Sequence, residues 1–150
     1  MEAMRIILPI EPKPQSRPRF ARRGNYVQTY EDRAMKEYKN QVKNYLRKSR
    51  AKLIEKGPIS AHVTFYIHPP KSALSNKQKR LEVELERKYC DKKSDLDNYL
   101  KAILDASNKI LFSDDGQVAK IMAEKKYSYN PRIEIEIYEI GEGGDEEKEK

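Results

Sequence analysis

The chain has 150 residues, with 31 Lys and Arg against 24 Asp and Glu and a formal net charge of +7. That length suits one domain with a core of its own, but with 37% of residues charged the core must be modest. The lone Cys90 excludes an internal disulfide and a cysteine-cluster zinc site. No apolar run is long enough to span a bilayer and no signal peptide is present, so a cytoplasmic protein with no membrane partner is expected.

In chain order, Met4 to Leu8 reads as a strand ended by the prolines at 9, 12 and 14. Pro14 to Arg23 reads as a basic loop and Asn25 to Tyr30 as a short strand. A long helix is predicted from Glu31 to about Lys56, burying Met35, Tyr38, Val42, Tyr45, Leu46 and Leu53. Lys36, Lys39, Lys43, Arg47 and Arg50 form a second row on it, most simply a solvated face. Gly57-Pro58 breaks that helix, and Ile59 to Ile67 makes a strand. His62 and His68, in or beside it, are expected to be structural. Ser75 to Lys88 reads as a charged peripheral helix. A further helix should begin near Asn98, capped by Ser94 or Asp97, with Leu96, Leu100, Ile103, Leu104 and Leu111 on its buried face. Strands near Val118–Tyr129 and Arg132–Ile140, joined at Asn130-Pro131, finish a single α/β (α+β) domain over residues 1–140. It is expected to be a mixed sheet packed by helices. Residues 141–150 carry five acids, two lysines and no apolar residue, which predicts a disordered acidic tail.

Charge is unevenly spread. Residues 1–56 hold 15 Lys and Arg against six Asp and Glu, yet residues 95–115 gather five aspartates: Asp95, Asp97, Asp105, Asp114 and Asp115. Carboxylates crowded around an apolar segment repel one another and lose solvation unless something pairs with them. A divalent ion is the simplest partner, and a metal on a basic scaffold points to phosphodiester chemistry. Asp95 and Asp97, two apart, point the same way along an extended approach to the helix. Asp97, Lys101 and Asp105 follow at four-residue steps along one helix face. If the Asp114-Asp115-Gly116 turn folds back toward the helix start, Asp115 joins Asp95 and Asp97 around one ion. Any one of these aspartates is better read as a cap, a turn former or half of a surface ion pair. The set favours a metal site, and its oxygen ligands suit Mg²⁺, with Mn²⁺ as a substitute, rather than zinc.

The run KKSDLDNYLKAILDASNKILFSDDGQV resembles the core motif of the RusA family of Holliday-junction resolvases: D-L-D-N, a lysine three residues on, an aspartate four beyond it, then D-D-x-Q. KPQSRPRFARRGNYVQTY resembles the phage and prophage branch, and the likeness covers most of residues 4 to 140. Family members often carry proline where this chain has Ser94. The resemblance implies a RusA-like fold and a magnesium-dependent endonuclease that acts as a homodimer on four-way DNA junctions in recombination and repair. Carried over by position, Asp95, Asp97 and Asp115 would be the acidic metal site and Lys101 the essential basic residue, with Asn98, Asp105 and Asp114 in support.

DNA contact is expected from Arg17, Arg19, Arg22 and Arg23, each able to pair with a phosphate, and from Lys92 and Lys93 just before the acidic motif. Phe20 or Tyr26 can stack on an exposed base. Two rivals stand beside a junction resolvase: a flap- or fork-type nuclease of the same chemistry, and a non-catalytic DNA-binding protein whose aspartates are caps and turns.

Overall fold

Alternation decides the sheet. In RIEIEIYE, Ile133, Ile135 and Ile137 are buried while the residues between them are half exposed, the period of a strand with one covered face. The computed structural model describes residues 3–16, 19–24, 26–92 and 94–141. Its strands are β1 (Met4–Leu8), β2 (Arg19–Arg23), β3 (Tyr26–Tyr30), β4 (Ile59–Ile67), β5 (Val118–Tyr127) and β6 (Arg132–Glu139). Its helices are α1 (Arg33–Lys48), α2 (Lys77–Glu84) and α3 (Leu96–Ser107). A four-stranded mixed sheet has the order β1-β6-β4-β5, and β2 and β3 form a separate hairpin. Only β4 and β5 run parallel, with Ile59 against Val118 and Ile67 against Tyr127. The result is a single α+β domain.

The core lies between the sheet and the helices. Ile59, Ala61, Val63, Phe65 and Ile67 from β4 meet Ile6, Leu8 and the three β6 isoleucines there. Helix α1 contributes Met35, Tyr38, Val42 and Leu46, and α3 contributes Tyr99, Ala102, Ile103 and Ala106. Burial pushes the Tyr38 phenol up to about 12, and its oxygen accepts the Lys13 N–H at 3.1 Å. The Phe65 and Tyr99 rings meet at 5.5 Å between centroids, which locks α3 onto the central strand. Among the described residues no helix is long and apolar enough to cross a membrane.

Four expectations change. Helix α1 stops at Lys48 rather than near Lys56: the Ser49 hydroxyl donates to the Leu46 carbonyl, and Arg50 turns left-handed at φ 59°. Leu53 therefore lies beyond the helix, 41% exposed. Residues 19–23, read as loop, pair in register with β3. The charged helix shortens to α2, capped by the Asn76 side chain on the Lys79 N–H. In α3 the buried stripe runs through Tyr99, Ala102, Ile103 and Ala106, while Leu96, Leu100 and Leu104 are only partly covered, because the face that meets Phe65 is set by Tyr99. Of the expected acidic tail, residues 141–150, all but Gly141 lie outside the described residues.

The face of the sheet away from the core is polar. Arg132 donates from both guanidinium nitrogens to Glu86 at 2.8 and 2.9 Å, bonds Glu134 at 2.8 Å and lies 3.9 Å over the Tyr66 ring. His62 and Glu124 meet at 2.8 Å across β4 and β5. The Arg132 bonds, helped by the Ser128 hydroxyl, hold the Glu86 carboxyl below its ordinary 4.5, and the His62 contact does the same for Glu124. A carboxylate whose value is lowered by folding adds stability above its unfolded value, and that stability is lost as pH falls through the folded value. Glu86→Gln is therefore expected to flatten the loss of stability below pH 4.5 in urea titrations. An unchanged pH slope would mean that this pair contributes nothing.

Candidate active site

The backbone that delivers the first aspartates is pinned before the helix starts. Residues 88–90 run along the outer edge of β5, with the Tyr127 N–H on the Lys88 carbonyl and the Cys90 N–H on the Lys125 carbonyl, both at 2.9 Å. Lys125 then donates its Nζ to the carbonyls of Lys92 at 3.0 Å and Ser94 at 2.9 Å. Ser94 thus stays outside the helix, and Asp95, not Ser94 or Asp97, takes the N-cap position with φ −65° and ψ 144°. Its carboxylate does not close onto the helix N–H groups, so it stays available. Asp97 follows in the first turn, where the helix start favours an anion. Asp95 and Asp97 are exposed, and among the described residues neither carboxylate has a hydrogen-bond or ion-pair partner.

Lys101 and Asp105 pair along α3 at 3.5 Å, and the lysine side chain is 62% exposed. Asp105 also receives Lys39 of α1 at 3.2 Å, and Lys39 in turn holds Glu31. Asp105 is thus a tie between two helices rather than a free ligand. The Asn98 carbonyl accepts the Gln15 N–H at 2.9 Å, so the chain leading into the hairpin is fastened to the first turn of α3.

The returning strand is fastened nearby: Ser16 donates to Asp32 at 2.7 Å, and Gln15 to Glu31 at 2.8 Å. Both feet of the β2–β3 hairpin therefore stand at the Asp95–Asp97 end of α3. In its ladder Arg19 is opposite Tyr30, Arg22 opposite Val27 and Arg23 opposite Tyr26, and Arg22 is exposed. Lys92 is exposed just ahead of the acidic pair. Arg17 and Lys93 lie outside the described residues.

The second acidic segment folds elsewhere. Asp114 accepts the Gly116 N–H at 2.9 Å. The Gln117 side chain clamps the turn: its Oε1 accepts the N–H groups of Ser113 at 2.8 Å and Asp114 at 3.0 Å, and its Nε2 donates to the carbonyls of Ile54 and Gly57, each at 3.1 Å. Asp115 is left exposed, with no described partner for its carboxylate. This turn sits where β4 and β5 begin, whereas Asp95 lies beside Lys125 near their far end. Val118 and Lys125 are roughly 23 Å apart along the strand, from an extended rise of ~3.3 Å per residue. The expected fold-back of Asp115 onto the helix start is therefore not met within one chain, because the turn is held by residues 54–57. Among the described residues no three His, Cys, Asp or Glu side chains gather into a group able to hold an ion. The donor chemistry still suits a hard cation, since Asp95 and Asp97 are exposed oxygen donors with no described protein partner competing for them.

Gln117, Lys125 and Gln15 hold this arrangement and were not singled out from the sequence, while Lys39, expected in a solvated row, is instead a largely covered tie to Glu31 and Asp105. Gln117 alone carried a signal there, as the last letter of the DDGQ run.

Two comparisons with known proteins bear on the whole chain. It is 33% identical over 140 residues to the uncharacterized protein YqaN of Bacillus subtilis (strain 168), an alignment covering 93% of this chain and 99% of that protein. The family model of the endodeoxyribonuclease RusA matches residues 9–138, a span that takes in the hairpin, the start of α3 and the Gln117 clamp alike. With that match running through every element that positions the acidic residues, the chain belongs to the RusA endodeoxyribonuclease family.

Proposed function

We propose that this protein is a divalent-metal-dependent, structure-specific endodeoxyribonuclease that resolves four-way DNA junctions by paired phosphodiester hydrolysis, acting as a homodimer. The observation that carries the reading is the pair of exposed carboxylates, Asp95 and Asp97, with no partner among the described residues, at the start of α3 beside both feet of an arginine-bearing hairpin. Asp95, Asp97 and Asp115 would hold Mg²⁺ or Mn²⁺, which when bound draws charge from the scissile phosphate and acidifies water.

The remaining work falls to the chain's own residues. Arg19, Arg22, Arg23 and Lys92 grip backbone phosphates and position the DNA without reading its sequence. Lys101, with its amine exposed beside Asp105, offsets negative charge that develops on the phosphate. Because the Asp115 turn lies where β5 begins and the Asp95–Asp97 pair near its far end, a two-fold partner running the other way would bring each Asp115 toward the other copy's pair. A two-fold dimer also matches the symmetry of a junction, with one site for each of two opposed strands.

The test is cleavage of a synthetic four-way junction, a flap and a plain duplex, with Mg²⁺, with Mn²⁺ and with EDTA. Paired symmetric nicks confined to the junction and lost in EDTA are expected. Cutting of the flap alone would move the protein to the branched-DNA nucleases. Binding without cutting under either metal would leave the aspartates as caps and turns.

A further inference from the structure

Strand alternation puts a charge on β5 where an apolar residue would be ordinary. Lys125 is opposite Phe65 in the ladder and two residues from Tyr127, both buried, so its side chain leaves the sheet on the core side. An ammonium on such a face loses solvation unless polar atoms meet it. Here two backbone oxygens do: Lys125 Nζ donates to the Lys92 carbonyl at 3.0 Å and to the Ser94 carbonyl at 2.9 Å. Among the described residues no carboxylate pairs with it. Its own carbonyl accepts the Cys90 N–H at 2.9 Å, and the Cys90 thiol donates to the Lys92 carbonyl at 3.1 Å. The cation thus serves the shape of the chain entering α3 rather than an ion pair.

We propose that Lys125 is a positioning residue for the metal-binding pair, setting where Asp95 stands relative to Asp97 through its bond to the Ser94 carbonyl. This rests on the nuclease of the proposed function and deepens it. Peptide planarity makes the link. The Ser94 carbonyl lies in the peptide plane that enters Asp95, and Lys125 holds that plane. The Asp95 carbonyl lies in the plane that leaves it, and the Asn98 and Tyr99 N–H groups hold that one at 3.1 and 3.4 Å. With both planes held, φ −65° and ψ 144° are set, and with them the direction of the Asp95 Cβ. Release of the Ser94 carbonyl frees the chain to turn about the Cα–C bond of Asp95. Its Cβ then swings, while Asp97 stays where the first turn of α3 puts it.

An ammonium suits the place. Two carbonyl oxygens turned to one point repel, and a positive charge between them makes the arrangement attractive. Hydrogen bonds from a charged donor are also stronger than neutral ones, and lysine carries three donors on one compact head. Lys125 touches neither phosphate nor ion in this arrangement; it acts through the backbone of Ser94. Groups that orient a metal ligand typically cost roughly 10–100-fold in metal affinity or activity when removed, and the same range is expected here.

Titration of the full chain with Mn²⁺, followed by electron paramagnetic resonance of the free ion and without DNA, tests this apart from turnover. Lys125→Met keeps the length of the side chain and removes the charge and both bonds. It is expected to weaken Mn²⁺ binding by roughly 10–100-fold and to lower kcat for junction cutting, with junction affinity in gel shifts unchanged. Lys125→Arg, which can donate to both carbonyls, should restore most of the loss. Lys120→Met removes the same charge from an exposed place on the same strand and should change neither quantity. In an Asp95→Asn background Lys125→Met should cost no further Mn²⁺ affinity, because the effect runs through Asp95. The proposal is overturned if Lys125→Met binds Mn²⁺ as wild type does, if Lys125→Arg is as weak as Lys125→Met, or if the loss is undiminished beside Asp95→Asn. Loss of the native circular dichroism spectrum in Lys125→Met would also overturn it, as a sign that the residue holds the fold as a whole. Binding and cutting retained in Lys125→Met remove the positioning role and keep the nuclease. A wild type that neither binds Mn²⁺ nor cuts DNA removes the nuclease, and this role with it.

Discussion

Asp97→Asn is expected to lower junction cutting by roughly 10²–10³-fold or more, the scale seen when one preorganised electrostatic group is removed from a reacting phosphate or carbonyl. Junction binding should persist or tighten, because one negative charge near the DNA is gone. The structure supports that separation. Asp97 is exposed in the first turn of α3 and has no described hydrogen-bond or ion-pair partner, so the amide breaks no contact that holds the fold. The thermal midpoint should therefore stay within a degree or two, the usual range for an exposed substitution away from special features. The measurement is a paired gel-shift and cleavage assay on the same junction. Loss of binding together with cutting would make Asp97 a structural residue.

The second large effect lies under the site. Phe65→Ala should cost about 3–5 kcal/mol, the range for deleting a buried aromatic side chain. Phe65 is fully buried on the central strand, between Lys125 of β5 and Ile133 of β6 in the ladder. Its ring is also the seat of Tyr99 on α3. Truncation opens a cavity that α3 can fill only by moving, and that helix carries Asp97 and Lys101. For a chain of this length the melting temperature should fall by roughly 8–15 °C. Cutting should fall as well even at temperatures where the variant is folded. A midpoint within two degrees of wild type would show that the core closes over the gap.

Much of the fold was legible because it rests on short-range pattern. The alternation of Ile133, Ile135 and Ile137 and the helical spacing of Met35, Tyr38, Val42 and Leu46 are statements about single elements, and both hold. The end of α1 was not legible. The apolar pattern carries on to Leu53, and only the left-handed Arg50 and the Ser49 hydroxyl bond stop the helix. Of the β2–β3 hairpin, β3 was read as a short strand, but β2 was hidden because RFARR shows no alternation of apolar and polar residues. At the site, the aspartates and Lys101 could be named from charge crowding and spacing, but their placement could not. Where Asp115 goes depends on Gln117 reaching Ile54 and Gly57, some sixty positions back in the chain. Helical spacing could have paired Lys101 with either Asp97 or Asp105; Asp105 is the partner, and Lys39 adds a second cation to it from another helix.

The parallel pairing of β4 with β5 also bears on how the chain folds. Antiparallel neighbours can be joined by a short turn, but parallel ones need a long crossover. Here the crossover is residues 68–117, and it contains Asp95, Asp97, Lys101 and Asp115. Contacts between residues this distant in sequence form slowly, because chain entropy is lost before the contact is gained. On a ribosome, the β4–β5 ladder cannot close until Tyr127 has emerged. The crossover that carries Asp95, Asp97, Lys101 and Asp115 is thus fixed in place only once β5 has been made and has paired with β4.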